Sequence, residues 1–120
     1  MSFSLRDSVI KTHDGKIKYR QFSEGGAEHY HIGVWLTNSD DSEMDQVEFV
    51  EYTLHPSFSR RERRSSNRDN DFSITFWAWG AFQIEARVHF VDPGMTPQTL
   101  HHKLGVRLPA DTGDNYEKVD

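Results

Sequence analysis

The side chains able to do chemistry in this 120-residue chain are few, and they fall in pairs. His55 and Ser57 stand two apart at the end of an apolar run, placing an imidazole and a hydroxyl on one side of the chain. That is the start of a nucleophile–base arrangement, but no carboxylate nearby in sequence completes a triad. The same two side chains are equally suited to cap a strand end and tie down a turn. His29 and His31 set two imidazoles on one strand face, and His101-His102 form a second pair. Imidazole is the commonest metal ligand. With no cysteine and no recognisable ligand cluster, however, no metal is assigned and the histidines are read as solvated. Nucleophile elbow, phosphate-binding glycine loop and metal-hydrolase motifs do not occur. The chain is read as a non-enzymatic protein without a cofactor.

Charge narrows the partners. The net charge is −5, which disfavours general affinity for a nucleic-acid backbone and makes nucleic acid an unexpected partner. Arg60, Arg61, Arg63 and Arg64 form a basic run, but Glu62 interrupts it and Asp69 and Asp71 follow it. Residues 59–71 are therefore read as a polar, solvated loop, able to steer an acidic peptide. No window approaches the roughly 18 apolar residues that span a bilayer, and no apolar stretch of signal-peptide length opens the chain. No membrane contact and a cytoplasmic location are expected, which the lack of cysteine also suits.

Position-two alternation dominates the elements that must place these groups. In 82–90, Phe82, Ile84, Ala86, Val88 and Phe90 share one face and polar residues the other. Residues 72–79 alternate likewise, and only Gly80 and Ala81 separate the two runs, which suggests a type II′ hairpin. Residues 29–37 and 99–108 are further strands, the latter with Leu100, Leu104, Val106 and Leu108 inward and His102 inward or at the edge. Residues 47–54 alternate imperfectly, so a bulge is expected there. Leu5–Ile10 and Lys16–Phe22 are weaker strands around a His13-Asp14-Gly15-Lys16 turn. No segment carries a 3.6-residue period. Short strands at this spacing predict an all-β sandwich or barrel. The polar tail from Ala110 is expected to fray.

Two segments add a resemblance. Leu54-His55-Pro56-Ser57-Phe58 ends one strand, and Trp79-Gly80-Ala81-Phe82 leads into the run closing on Phe90. In order and spacing, residues 47–90 resemble the YEATS pattern: a strand ending L-H-x-S-F, a basic variable loop, an apolar strand, then G-W-G-x-F and a strand closing on an aromatic. Residues 28–36 are similar to the early H-D-W strand, with Ile32 for the Trp and His31 for the Asp. Asp69-Asn70-Asp71 stands where the family has two prolines, and Ala78 where it has Gly. The chain looks closest to the small prokaryotic branch, whose members are predicted sensor or adaptor modules of immunity systems.

The resemblance implies an immunoglobulin-like sandwich of about 7–8 antiparallel strands over residues 1–109, with 110–120 as a tail. It implies a channel that reads an acylated lysine. Phe58 and Trp79 would sandwich the planar acyl amide, Phe82 would support the floor, and Ser57 with the Trp79 N–H would hold the amide. His55 would line the channel beside Gly80. The family's further aromatic falls near Glu28, so this third wall is missing, supplied by Tyr30, or replaced for another ligand. The partner is then an acylated-lysine peptide or another small planar ligand, with an effector protein as a further partner. The bland alternatives remain open: a capping His55–Ser57 pair, a hairpin corner at Trp79-Gly80, Phe82 in the core, and a structural interaction sandwich with no small-molecule pocket.

Overall fold

The computed structural model describes residues 2–22, 26–105 and 108–119. Nine strands are present among them: β1 (Ser4–Val9), β2 (Ile17–Gln21), β3 (Glu28–Thr37), β4 (Val47–Thr53), β5 (Glu62–Ser65), β6 (Ile74–Ala78), β7 (Gln83–Phe90), β8 (Gln98–Lys103) and β9 (Tyr116–Lys118). One helical turn, α1 (Asp41–Met44), joins β3 to β4. The strands form two sheets. In the first, β3 is central: β1 and β2 share one edge, β6 takes the other, and β9 extends the sheet beyond β2. The second runs β5-β4-β7-β8.

The alternation seen in sequence becomes the packing between the sheets. Ile32, Val34 and Leu36 of β3 face Val50 and Tyr52 of β4 and Ile84, Ala86 and Val88 of β7 in one core cluster. Burying side chains of this size contributes about 1.5–3 kcal/mol each. The Tyr52 hydroxyl lies in that core and donates to the Phe72 carbonyl at 2.6 Å. Phe72 itself is buried with φ 56°, a costly conformation for a bulky residue. The contacts that hold it there include its N–H, which donates to the Asn67 carbonyl at 2.9 Å.

Several expectations need correction. The runs 72–79 and 82–90 do not pair as a hairpin: β6 pairs β3, and β7 pairs β4 and β8. Residues 79–82 cross between sheets, and Gly80 does not take the positive φ a type II′ turn requires. Residues 59–71 are not a plain loop, because they contain β5 and a 3-10 turn at Arg68–Asn70. β5 escapes the apolar alternation test because it is an edge strand held by polar and charged pairs, such as Glu51 opposite Arg64. The tail does not fray at 116–118. There β9 pairs parallel to β2, making the strand count nine with one parallel pair. Tyr116 anchors it, with its ring near Tyr19 and Tyr30 and its hydroxyl donating to the Pro109 carbonyl at 2.6 Å.

Other expectations hold. β4 carries a register shift between Val47 and Phe49, and Gly15 turns at φ 85° between β1 and β2. The strand of 99–108 ends at Lys103. Leu104 is buried and Leu100 half-buried, Leu108 is exposed rather than inward, and Val106 lies outside the described residues.

Candidate functional site

The chain from β4 to β5 is closed at its base, where the Leu54 N–H donates to the Arg61 carbonyl at 2.7 Å and Arg61 Nε returns a bond to the Leu54 carbonyl at 3.0 Å. Inside this loop the Phe58 N–H donates to the His55 carbonyl at 3.0 Å. That bond closes a four-residue turn with Pro56 at its second position, where a fixed φ is favourable. The turn folds Ser57 back onto His55. His55 Nδ1 accepts from the Ser57 hydroxyl at 2.8 Å and from the Ser57 N–H at 3.2 Å. Because the backbone N–H must donate, Nδ1 is an acceptor, and the hydroxyl spends its proton on it. Ser57 is exposed, and its Oγ is thereby left with acceptor capacity.

The crossover 79–82 brings the second half of the site to the same end of the sandwich. Phe58 and Trp79 stack with centroids 6.0 Å apart and planes at 30°. His55 meets Trp79 edge-on at 6.0 Å and Phe82 at 5.9 Å. Phe58 rests on Phe82 at 5.4 Å and on the buried Phe76 at 5.7 Å, so the floor of the site is continuous with the core. Trp79 is 47% exposed. The structure thus brings His55, Ser57, Phe58, Trp79 and Phe82 together. Gly80 lies beside them in open space, where a Cβ would meet nothing within 4 Å.

Sequence reasoning missed two neighbours. Phe76 was read only as part of an apolar strand, yet it carries Phe58. His29 reaches across to Trp79 at 5.5 Å. Its place two residues before His31 on one strand face was the available signal. Tyr30, named as a substitute wall, lines an apolar cleft of about 90 Å³ with Ile32, Ala78, Trp79 and Leu104. Trp79 is therefore a wall of this cleft as well as of the Phe58 stack. Burial and the Glu28 carboxylate, which accepts from the Tyr30 hydroxyl at 2.8 Å, push the phenol up to about 12.

The other histidines are not simply solvated. His31 is half-buried and stacked on Trp77 at 4.6 Å, and burial, then Lys18 and Arg20, lower its pKa. His102 pairs with Asp7. Among the described residues, no three metal-binding side chains gather at one place. The basic run is likewise engaged rather than free: Arg63 donates to the Thr75 carbonyl at 3.2 Å, and Arg64 lies over the Phe49 ring at 4.1 Å.

The family model of the prokaryotic YEATS domain matches residues 30–104, which contain both loops of the site. The chain belongs to this family. Among solved structures, YEATS domains share the fold at low identity. The Yaf9 YEATS domain recognising an H3K122suc peptide is 20% identical, with a TM-score of 0.59, covering 88% of this chain and 75% of that one. The same domain bound to H3K27ac is 18% identical with a TM-score of 0.59, covering 92% and 77%. The yeast AF-9 homolog Yaf9 is 18% identical with a TM-score of 0.58, covering 88% and 69%. The prokaryotic YEATS chain described here is an immunoglobulin-like β-sandwich of that family, and among its described residues no helix is long and apolar enough to cross a membrane.

Proposed function

We propose that this prokaryotic YEATS domain is a non-enzymatic recognition module that reads an acylated lysine, or a similar small planar amide, between Phe58 and Trp79. The observation that carries this reading is the convergence of those two rings beside a His55–Ser57 pair whose exposed hydroxyl oxygen is left to accept. An acyl-lysine amide offers an N–H to Ser57 Oγ and a flat conjugated group to the rings. It also lacks the charge that makes an unmodified lysine costly to desolvate. The apolar cleft beyond Trp79 gives the acyl chain room for several water-sized groups.

Binding requires movement. A planar group stacked on both rings needs them about 7 Å apart, twice a contact distance of about 3.5 Å. They stand at 6.0 Å. Trp79 is the side that moves, since it is exposed while Phe58 rests on the core. The closed stack also favours a second reading, a structural adaptor sandwich whose rings fill their own gap. We further propose a cytoplasmic sensing or adaptor role in a prokaryotic immunity or signalling system, coupled to an effector protein; its support is the prokaryotic family alone.

Tryptophan-fluorescence titration with acetyl-lysine and crotonyl-lysine peptides separates the two readings. The recognition reading expects saturable change and its loss in Ser57→Ala, which keeps every tryptophan. A flat signal from the wild-type chain favours the adaptor.

A further inference from the structure

The outer face of the β3-centred sheet carries an arrangement of which the acyl-lysine reading uses only Trp79, at its edge. Alternation along β1, β2, β3 and β6 points Arg6, Lys18 and Arg20 outward, together with His31, Trp35 and Trp77. These four strands place no carboxylate on that face. Asp7 is turned inward to His102, and Glu28 is bonded by the Tyr30 hydroxyl. On β9, at the margin, Glu117 stands opposite Lys18. In a chain of net charge −5, this is a marked segregation.

Rings and cations interleave across the face. Arg20 lies over Phe22 at 5.2 Å and over Trp77 at 5.1 Å, and Trp77 stacks on His31. Phe22 meets His29 at 4.7 Å, and His29 meets Trp79 at 5.5 Å. Phe22 is 62% and Trp79 47% exposed, so both rings present surface to solvent, Trp79 on the side away from Phe58. Arg6 opposite Trp35 and Arg20 opposite His29 lie six residues apart along β3, roughly 20 Å.

We propose that this face binds single-stranded nucleic acid, with bases stacked on the exposed rings of Phe22 and Trp79 and phosphates held by Arg6, Lys18 and Arg20, while the half-buried Trp77, stacked on His31 beneath Arg20, forms the floor between them. Exposed rings beside cations that share their strands' face with no carboxylate match what a single strand offers: a π-face on every base and a charge on every linkage. An acidic peptide would satisfy the cations and leave the rings uncovered, so the nucleic acid is the better fit. The net charge of the sequence argued against such binding only because it averages over the whole surface. With about three phosphates neutralised, affinity falls roughly 20-fold between 50 and 200 mM salt.

Fluorescence anisotropy of labelled oligo(dT) and oligo(U) tests this on the full chain. The proposal expects saturable binding at low salt, that salt dependence, quenching of tryptophan emission, and at least tenfold weakening in Lys18→Glu/Arg20→Glu. Arg87→Gln, which removes an exposed cation from β7 of the other sheet, is expected to bind the oligonucleotide like the wild type. Circular dichroism confirms that the double variant folds; should it not, Arg20→Gln alone is expected to weaken binding severalfold. Absence of binding at 50 mM salt overturns the proposal, as does equal binding by a folded Lys18→Glu/Arg20→Glu or, failing that, by Arg20→Gln. Binding of a polyglutamate peptide as tightly as the oligonucleotide overturns it in favour of an acidic protein segment.

Discussion

The imidazole of His102 on β8 meets the carboxylate of Asp7 on β1 at 2.5 Å, a contact between strands of different sheets. The Asp7 side chain is only 7% exposed and also accepts the Gly105 N–H at 3.0 Å. One carboxylate therefore fastens the β1 edge of the sandwich to the end of β8. Asp7→Ala leaves both donors without their acceptor and is expected to cost about 1–3 kcal/mol in urea unfolding. His102→Ala should cost less, since Gly105 keeps its partner. Equal stability of Asp7→Ala and wild type would show that this contact does not hold the sheets.

Tyr52 makes the corresponding bond inside the core. Tyr52→Phe keeps the ring and removes only the donor to the Phe72 carbonyl. The expected loss is about 1–3 kcal/mol, because that carbonyl belongs to a fully buried residue with an unfavourable φ. A thermal melt superimposable on wild type would contradict it.

His31 gives a pH dependence of defined sign. Its folded pKa lies below the ordinary 6.5, lowered first by burial and then by Lys18 and Arg20. The unfolded chain therefore binds the proton more readily than the folded one. The His31 contribution is fully present above pH 6.5 and is lost as the pH falls from there toward the folded pKa. Melting temperature measured from pH 7.5 to 5 should drop less steeply for His31→Gln than for wild type.

Much of this architecture could be read directly from residue spacing, and the failures have physical causes. β3, β7 and β4 declared themselves because one face of each is core, and even the β4 bulge showed as broken alternation. β5 and β9 were missed because neither buries an apolar face of its own. β5 is an edge strand of Arg and Glu, and β9 is three residues whose reason to pair is the Tyr116 ring. The 79–82 corner was misread as a hairpin because Gly-Ala between two alternating runs fits a tight turn locally. Only the partner strands, unseen in sequence, decide that β6 and β7 belong to different sheets. The site residues were legible as motifs, and the structure assembles them. What spacing did not reveal was which groups stand behind them, chiefly Phe76, and that Trp79 is shared with an apolar cleft.

The tail offers a check on β9. Tyr116→Ala removes the contacts to Tyr19 and Tyr30 and the bond to Pro109. Aromatic pairs contribute about 0.5–1.5 kcal/mol each beyond their burial. Amide exchange at Val119, whose N–H donates to the Tyr19 carbonyl at 2.8 Å, should accelerate in this variant while β4 and β7 amides stay protected.

The central claim is that Phe58 and Trp79 part to admit a planar acyl amide held by Ser57. Isothermal titration of a crotonyl-lysine peptide against its unmodified counterpart tests it most directly. The account predicts a dissociation constant of order micromolar for the crotonylated peptide. It predicts no measurable binding of the unmodified one, and at least about tenfold weakening in Trp79→Ala and in Ser57→Ala. Equal affinity for the two peptides, or a Trp79→Ala chain that binds as well as wild type, would contradict it.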